Sequence, residues 1–137
     1  MAEEQVHFKF SNPQLSGAMM RVLDRDISDE PAVIIKQVKI SSNVTNKEDQ
    51  KAQVSLTVAN FDDVDDLDDK PYVFTVTYTS EFSWSEDVEE KNVEAFLTIN
   101  APALLLSYVR NTVSNLTSSA KVERLDLPFY DFTSSNN

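Results

Sequence analysis

Residues 72–84 read YVFTVTYTSEFSW, and within them Tyr72, Phe74, Val76, Tyr78, Phe82 and Trp84 alternate with Val73, Thr75, Thr77, Thr79, Glu81 and Ser83. Successive side chains of a strand point to opposite faces, so this period of two predicts one long strand with an apolar face. Such a strand extends roughly 40 Å at about 3.3 Å per residue. An apolar face of that length needs strands beside it and a further layer across it.

The neighbours are legible upstream. Val54, Leu56 and Val58 alternate with Ser55, Thr57 and Ala59, and Val38, Ile40 and Val44 alternate with Lys39, Ser41 and Asn43, which predicts two more strands. The polar connections at 45–51 and 62–70 are short enough to join antiparallel neighbours. Nearer the N-terminus Val6, Phe8 and Phe10 alternate, then Pro13 and the single glycine, Gly17, interrupt before Ala18, Met19, Met20 and Val22. That pattern predicts an edge strand with a kink or bulge.

After Trp84 the period changes. Ser85 is a candidate N-cap ahead of an acidic first turn, and Val88, Val93, Ala95, Phe96 and Leu97 predict a short helix. Pro102, tolerated in a first helical turn, is expected to start a longer one. The resulting fold class is α+β: a four-stranded antiparallel sheet with a short and a long helix packed on one face. A chain of 137 residues, 41% of them hydrophobic, supports one modest core, so residues 1–132 read as a single domain and the polar 133–137 as a disordered tail.

The long helix carries apolar side chains on two faces. Leu105, Leu106, Val109, Val113 and Leu116 share one arc of about 100°, the stripe expected of a helix lying on a core. Leu104 and Tyr108 sit one turn apart on the far side beside Asn111 and Asn115. A second apolar spot on a helix that already has a core face needs another surface to cover it. The long helix, about 27 Å at about 1.5 Å per residue, is also too short for the whole of the long strand. Phe82 and Trp84 at that strand's end, with parts of the first strand, therefore face the short helix, a subunit partner or an apolar ligand.

Function classes narrow by elimination. A formal charge of −11 opposes binding to nucleic acid or to an anionic membrane surface, and no uninterrupted apolar run approaches membrane-spanning length. The acidic N-terminus lacks the pattern of a secretory signal, which predicts a cytoplasmic protein and makes the glycosylation patterns at Asn43 and Asn115 chance matches. Without cysteine there is no disulfide, thiolate metal site or cysteine nucleophile. The single histidine, His7, lies among strand residues without the partners a triad requires, and one glycine cannot make a phosphate-cradling loop. The run of Asp62, Asp63, Asp65, Asp66, Asp68 and Asp69 lacks the turn glycine and closing glutamate of a calcium loop and reads as a solvated connection. No enzyme, cofactor or metal is expected.

Residues 100–132, NAPALLLSYVRNTVSNLTSSAKVERLDLPFYDF, resemble the SecB family of export chaperones. The elements that carry the resemblance are Pro102, the triplet Leu104 to Leu106, Tyr108 and Arg110, Ser114 to Leu116, Leu125 to Leu127, and Asp131 with Phe132. Ser107 departs from the family's proline before the tyrosine, and Ser119-Ala120 replaces a charged residue and glycine. The chain also stops before the family's second long helix and the tail that docks on the SecA motor, which weighs against delivery to that motor.

The resemblance implies an ATP-independent chaperone that holds non-native polypeptides or preproteins along apolar grooves and assembles as a homodimer or homotetramer through its long helices. On that reading Tyr78, Phe82, Trp84, Phe8 and Phe10 are expected to bind clients, and Leu104, Tyr108, Asn111 and Asn115 to form the oligomer interface. The alternative is an interaction module dedicated to one protein partner, such as an antitoxin or a regulator.

Overall fold

The computed structural model describes residues 8–133. His7 and the last four residues lie outside them.

Five strand segments form one antiparallel sheet. β1 (Phe8–Phe10) and β2 (Gln14–Val22) both pair with β5 (Tyr72–Trp84), β5 pairs with β4 (Lys51–Ala59), and β4 with β3 (Lys39–Glu48). β1 and β2 lie end to end on the same side of β5, so the expected kinked edge strand is present in two pieces within a sheet four strands wide. The break falls at Pro13, which has no N–H to give a ladder, and the register slips between Leu15 and Gly17. Gly17 itself has an ordinary negative φ, and a Cβ added there would meet nothing within 4 Å.

The long strand is central because its apolar period places Tyr72, Phe74, Val76 and Phe82 on the face that also receives Val54, Leu56 and Val58 of β4. The opposite face is joined by hydroxyls: Thr57 bonds Thr77, and Ser16 and Ser55 both bond Thr79. β3 and β4 are closed by a tight turn at Asp49 and Gln50, whose φ angles of 54° and 58° are the positive pair that matches the twist of a hairpin. Asn60 ends β4: its side chain accepts from the Phe74 N–H at 2.8 Å and donates to the Tyr72 carbonyl at 3.0 Å.

Helices cover the apolar face. α2 (Glu90–Ala95), a π-helical turn (Phe96–Asn100) and α3 (Ala101–Ala120) run on without a break. The sequence suggested two separate helices, the second starting at Pro102. Pro102 cannot donate a hydrogen bond back along the helix, and the widened turn before it, where Ala101 bonds the Phe96 carbonyl, absorbs that defect instead of ending the helix. Ser85 caps no helix, because its carbonyl closes a turn with Val88 and the helical residues begin at Glu90. α3 ends with Lys121 in the left-handed region at φ 63°, bonded to Ser118 while Val122 bonds Thr117, a helix stop usually taken by glycine.

Two further pieces close the core. α1 (Pro31–Gln37), which periodicity did not reveal, buries Ile34. The segment after α3 has no regular structure, yet it sinks Leu125, Leu127 and Phe132 into the same core. The loop between β2 and α1 is pinned at both ends: Arg25 donates to the Ala120 carbonyl at 2.9 Å, and Asp29 accepts from the Glu123 N–H at 2.7 Å. Beneath it Tyr72 is fully enclosed with no partner for its hydroxyl among the described residues, and burial, aided by the charge of Asp29, pushes that phenol up to about 12.

Candidate functional site

The structure separates the expected client residues into two groups. Phe8 and Phe82 meet Phe96 of the π-helical turn, Phe8 stacking on it with ring centres 3.9 Å apart and Phe82 edge-on at 5.6 Å, while Phe10 lies 6.0 Å from Phe82. Phe82 is 0% exposed, so it floors this cluster and offers no surface to a client, whereas Phe10 is 50% exposed. Trp84, opposite Phe8 in register, is partly buried against the core.

Tyr78 joins the residues expected at the oligomer interface. Its ring lies 5.7 Å from that of Tyr108, and its hydroxyl bonds Thr112. Leu15 stands opposite Tyr78 on the same face of the sheet and is 51% exposed. Leu104 is partly buried, Tyr108 is 38% exposed, and Asn111 and Asn115 are exposed on the outer face of α3. Phe10, Leu15, Tyr78 and Tyr108 thus form one apolar strip between α3 and the outer edge of β1 and β2. α3 carries a single charged residue, Arg110, in a chain of net charge −11. A charge-poor apolar surface of this kind marks protein contact more than it marks solvent.

A second apolar surface was not anticipated. Ile35 and Val38 of α1 and its end, Lys39 and Ile40 of β3, and Leu127 to Tyr130 of the final segment line a groove of about 480 Å³. Phe129 is 81% exposed and Tyr130 43%, the latter edge-on to Phe132 at 4.9 Å. β3 pairs only with β4 among the described residues, so the groove lies beside an unpaired strand edge. The sequence signals were the apolar run that opens PAVIIKQVKI and the dense aromatics of PFYDF, neither of which has a period of its own.

Charged side chains near these surfaces serve the fold. Lys47, at the end of the β3–β4 hairpin, pairs with both Glu90 and Glu94 of α2, and these bonds raise the lysine above its ordinary value and, through Lys47, lower Glu94. The acidic connection is folded on itself: Asp65 N–H donates to Asp63, and Asp66 accepts from Lys70 at 3.0 Å and from the Asp62 N–H. Lys70, and after it that N–H, hold the Asp66 carboxyl below its ordinary value. Among the described residues no helix is long and apolar enough to cross a membrane.

The described residues thus combine an antiparallel sheet under one helical layer with an exposed aromatic groove beside a strand edge that has no partner among them. A family model described as preprotein translocase subunit SecB matches residues 16–135, and the chain belongs to the SecB family, a family of chaperones. The protein-export protein SecB of Idiomarina loihiensis is 30% identical over a 146-residue alignment that covers 96% of this chain and 86% of that protein. That of Anaplasma phagocytophilum is 36% identical over 64 residues, a match spanning 45% of this chain and 40% of that protein. The fold is shared with a SecB-like chaperone of Mycobacterium tuberculosis solved with a ChAD peptide from the HigA1 antitoxin, at TM-score 0.63 and 15% identity over 91% of each chain. It is shared more distantly with a Streptococcus agalactiae protein of unknown function, at TM-score 0.53 and 11% identity over 92% of this chain and all of that one.

Proposed function

We propose that this chain is a cytoplasmic, ATP-independent holdase that keeps non-native polypeptides or preproteins from aggregating, with no covalent chemistry of its own. The observation that carries the reading is the groove between α1 and the final segment, where Phe129 and Tyr130 stand exposed beside the edge of β3 that has no partner among the described residues. An extended client segment would bury apolar side chains against the aromatics and exchange main-chain hydrogen bonds with the strand edge, a mode that tolerates many sequences.

The strip of Phe10, Leu15, Leu104, Tyr108 and Tyr78, with Asn111 and Asn115 at its margin, serves on this reading as the interface between copies in a dimer or tetramer. Residues 1–132 act as one domain, and the polar residues beyond it take no part. Phe8 and Trp84, at the end of the strip, extend a client's contact where they remain accessible.

A second reading, a module dedicated to one partner, is favoured by a single fact: the chaperone of the same fold from Mycobacterium tuberculosis was solved with a peptide of an antitoxin. A panel of unrelated unfolded proteins separates the two. A holdase suppresses aggregation of several of them at comparable molar ratios, and suppression of none, with tight binding to one native partner, would leave only the dedicated module.

A further inference from the structure

We infer that Arg110 is a positioning residue for this groove, holding its irregular wall open from the opposite side of the chain segment; the inference rests on the groove being the client site. The wall formed by Leu127 to Tyr130 belongs to no sheet or helix, and Pro128 brings no N–H with which to join one. Leu127 is anchored by burial, but Phe129 points away from the core and is 81% exposed. An exposed aromatic on an irregular segment beside an apolar groove gains free energy by folding into the groove, which would close it.

Arg110 opposes that collapse through two contacts. Its Nε donates to the Leu127 carbonyl at 2.6 Å, fixing the backbone where the wall leaves the core. Its guanidinium carbon lies 4.3 Å from the centre of the Phe129 ring, within the range of a cation–π contact. In a chain with 23 acidic residues this guanidinium has no carboxylate within ion-pairing distance among the described residues, so its charge remains available to the ring face. One planar group thus sets backbone and side chain together, which the single point charge of a lysine does not reproduce.

The test uses the full chain and a fluorescein-labelled, tryptophan-free peptide of alternating leucine and threonine, with three variants: Arg110→Met, Arg110→Lys and Phe129→Ala. Arg110→Met should weaken the peptide by about tenfold and Arg110→Lys by about threefold, with the mass of the assembly unchanged. Arg110→Met added to Phe129→Ala should cost less than the sum of the two single losses, because the part of the arginine's effect that runs through the ring is already gone, whereas general damage to the fold would add in full. Hydrogen exchange across residues 127–131 should speed up in Arg110→Met while the amides of β4 and β5 keep their protection. If Phe129→Ala weakens binding and Arg110→Met does not, or if the two losses add, the inference is overturned and the groove reading stands. If Phe129→Ala binds as the unaltered chain does, the groove reading falls and the inference falls with it.

Discussion

The strip along β1, β2 and α3 and the groove beneath α1 are both apolar and both open, but they are walled differently. Each side of the strip is a regular element: a strand hydrogen-bonded to β5 along its length, and a 20-residue helix seated on the core by Leu105, Leu106, Val109 and Val113. The groove has one such side, α1 with the start of β3, and one irregular side after Leu125. Side chains on regular elements keep a fixed spacing, which suits a partner of fixed shape, such as a second copy. An irregular wall adjusts at less cost, which suits clients that share apolar character and little else.

That contrast can be broken at several depths. The largest effect is expected under the strip. Phe82→Ala empties a site that Phe10 and Phe96 enclose and should cost about 3–5 kcal/mol of stability, read by denaturant unfolding, because a truncated core aromatic loses both burial and packing. A loss under about 1 kcal/mol would mean that Phe82 is not core.

Charged replacement of both Leu104 and Tyr108 should come next. Each buried side chain of this size contributes about 1.5–3 kcal/mol, so the pair shifts a moderate association by orders of magnitude, and light scattering should show the mass fall to that of one chain. A monomeric mass for the unaltered protein at micromolar concentration would remove the interface role of the strip.

Phe129→Ala combined with Tyr130→Ala should act on the groove alone. Peptide affinity is expected to fall by about tenfold, equivalent to about 1.4 kcal/mol, with mass and unfolding midpoint unchanged. If this variant instead lost its assembly, the two surfaces would be one.

A smaller effect lies in the clamp that ties the β3–β4 hairpin to α2. Glu94 is held below its ordinary 4.5, so its contribution is present above that value and is lost as pH falls through the lowered one. Lys47 is raised above its ordinary 10.5, so its contribution is whole below that value and is lost only as alkali passes the raised one. Protection of the α2 amides, taken relative to their intrinsic exchange rates, should therefore hold across the neutral range and fall in acid before that of β4 and β5. Protection of α2 that does not change with pH would mean that the clamp holds nothing.

The smallest effect is expected at Gly17. Neither its φ nor its surroundings require glycine, so Gly17→Ala should stabilise the isolated fold by about 0.5 kcal/mol. A loss of assembly in that variant would show a partner's backbone passing close to β2.

What the sequence could determine was whatever repeats at the period of its own element. The alternation from Tyr72 to Trp84 fixed the central strand and its buried face, because pleating converts spacing directly into sidedness, and the same holds for Val54, Leu56 and Val58. The two faces of α3 were readable for the same reason, since about 100° per residue separates Leu105 and Val109 from Leu104 and Tyr108 without reference to anything else in the molecule. Tertiary structure alone decided the rest. α1 is seven residues long, too short for a helical period to stand out, and forms because Ile34 finds the core. The final segment has no period at all, and only packing determines that Leu125, Leu127 and Phe132 go in while Phe129 stays out. Phe82 could be assigned to a face of β5 from spacing, but whether that face met solvent or Phe96 depended on a helix continuing through Pro102, where a local rule for proline gave way to a widened turn. The groove joins residues some ninety positions apart, and contacts of that range leave no mark in local spacing.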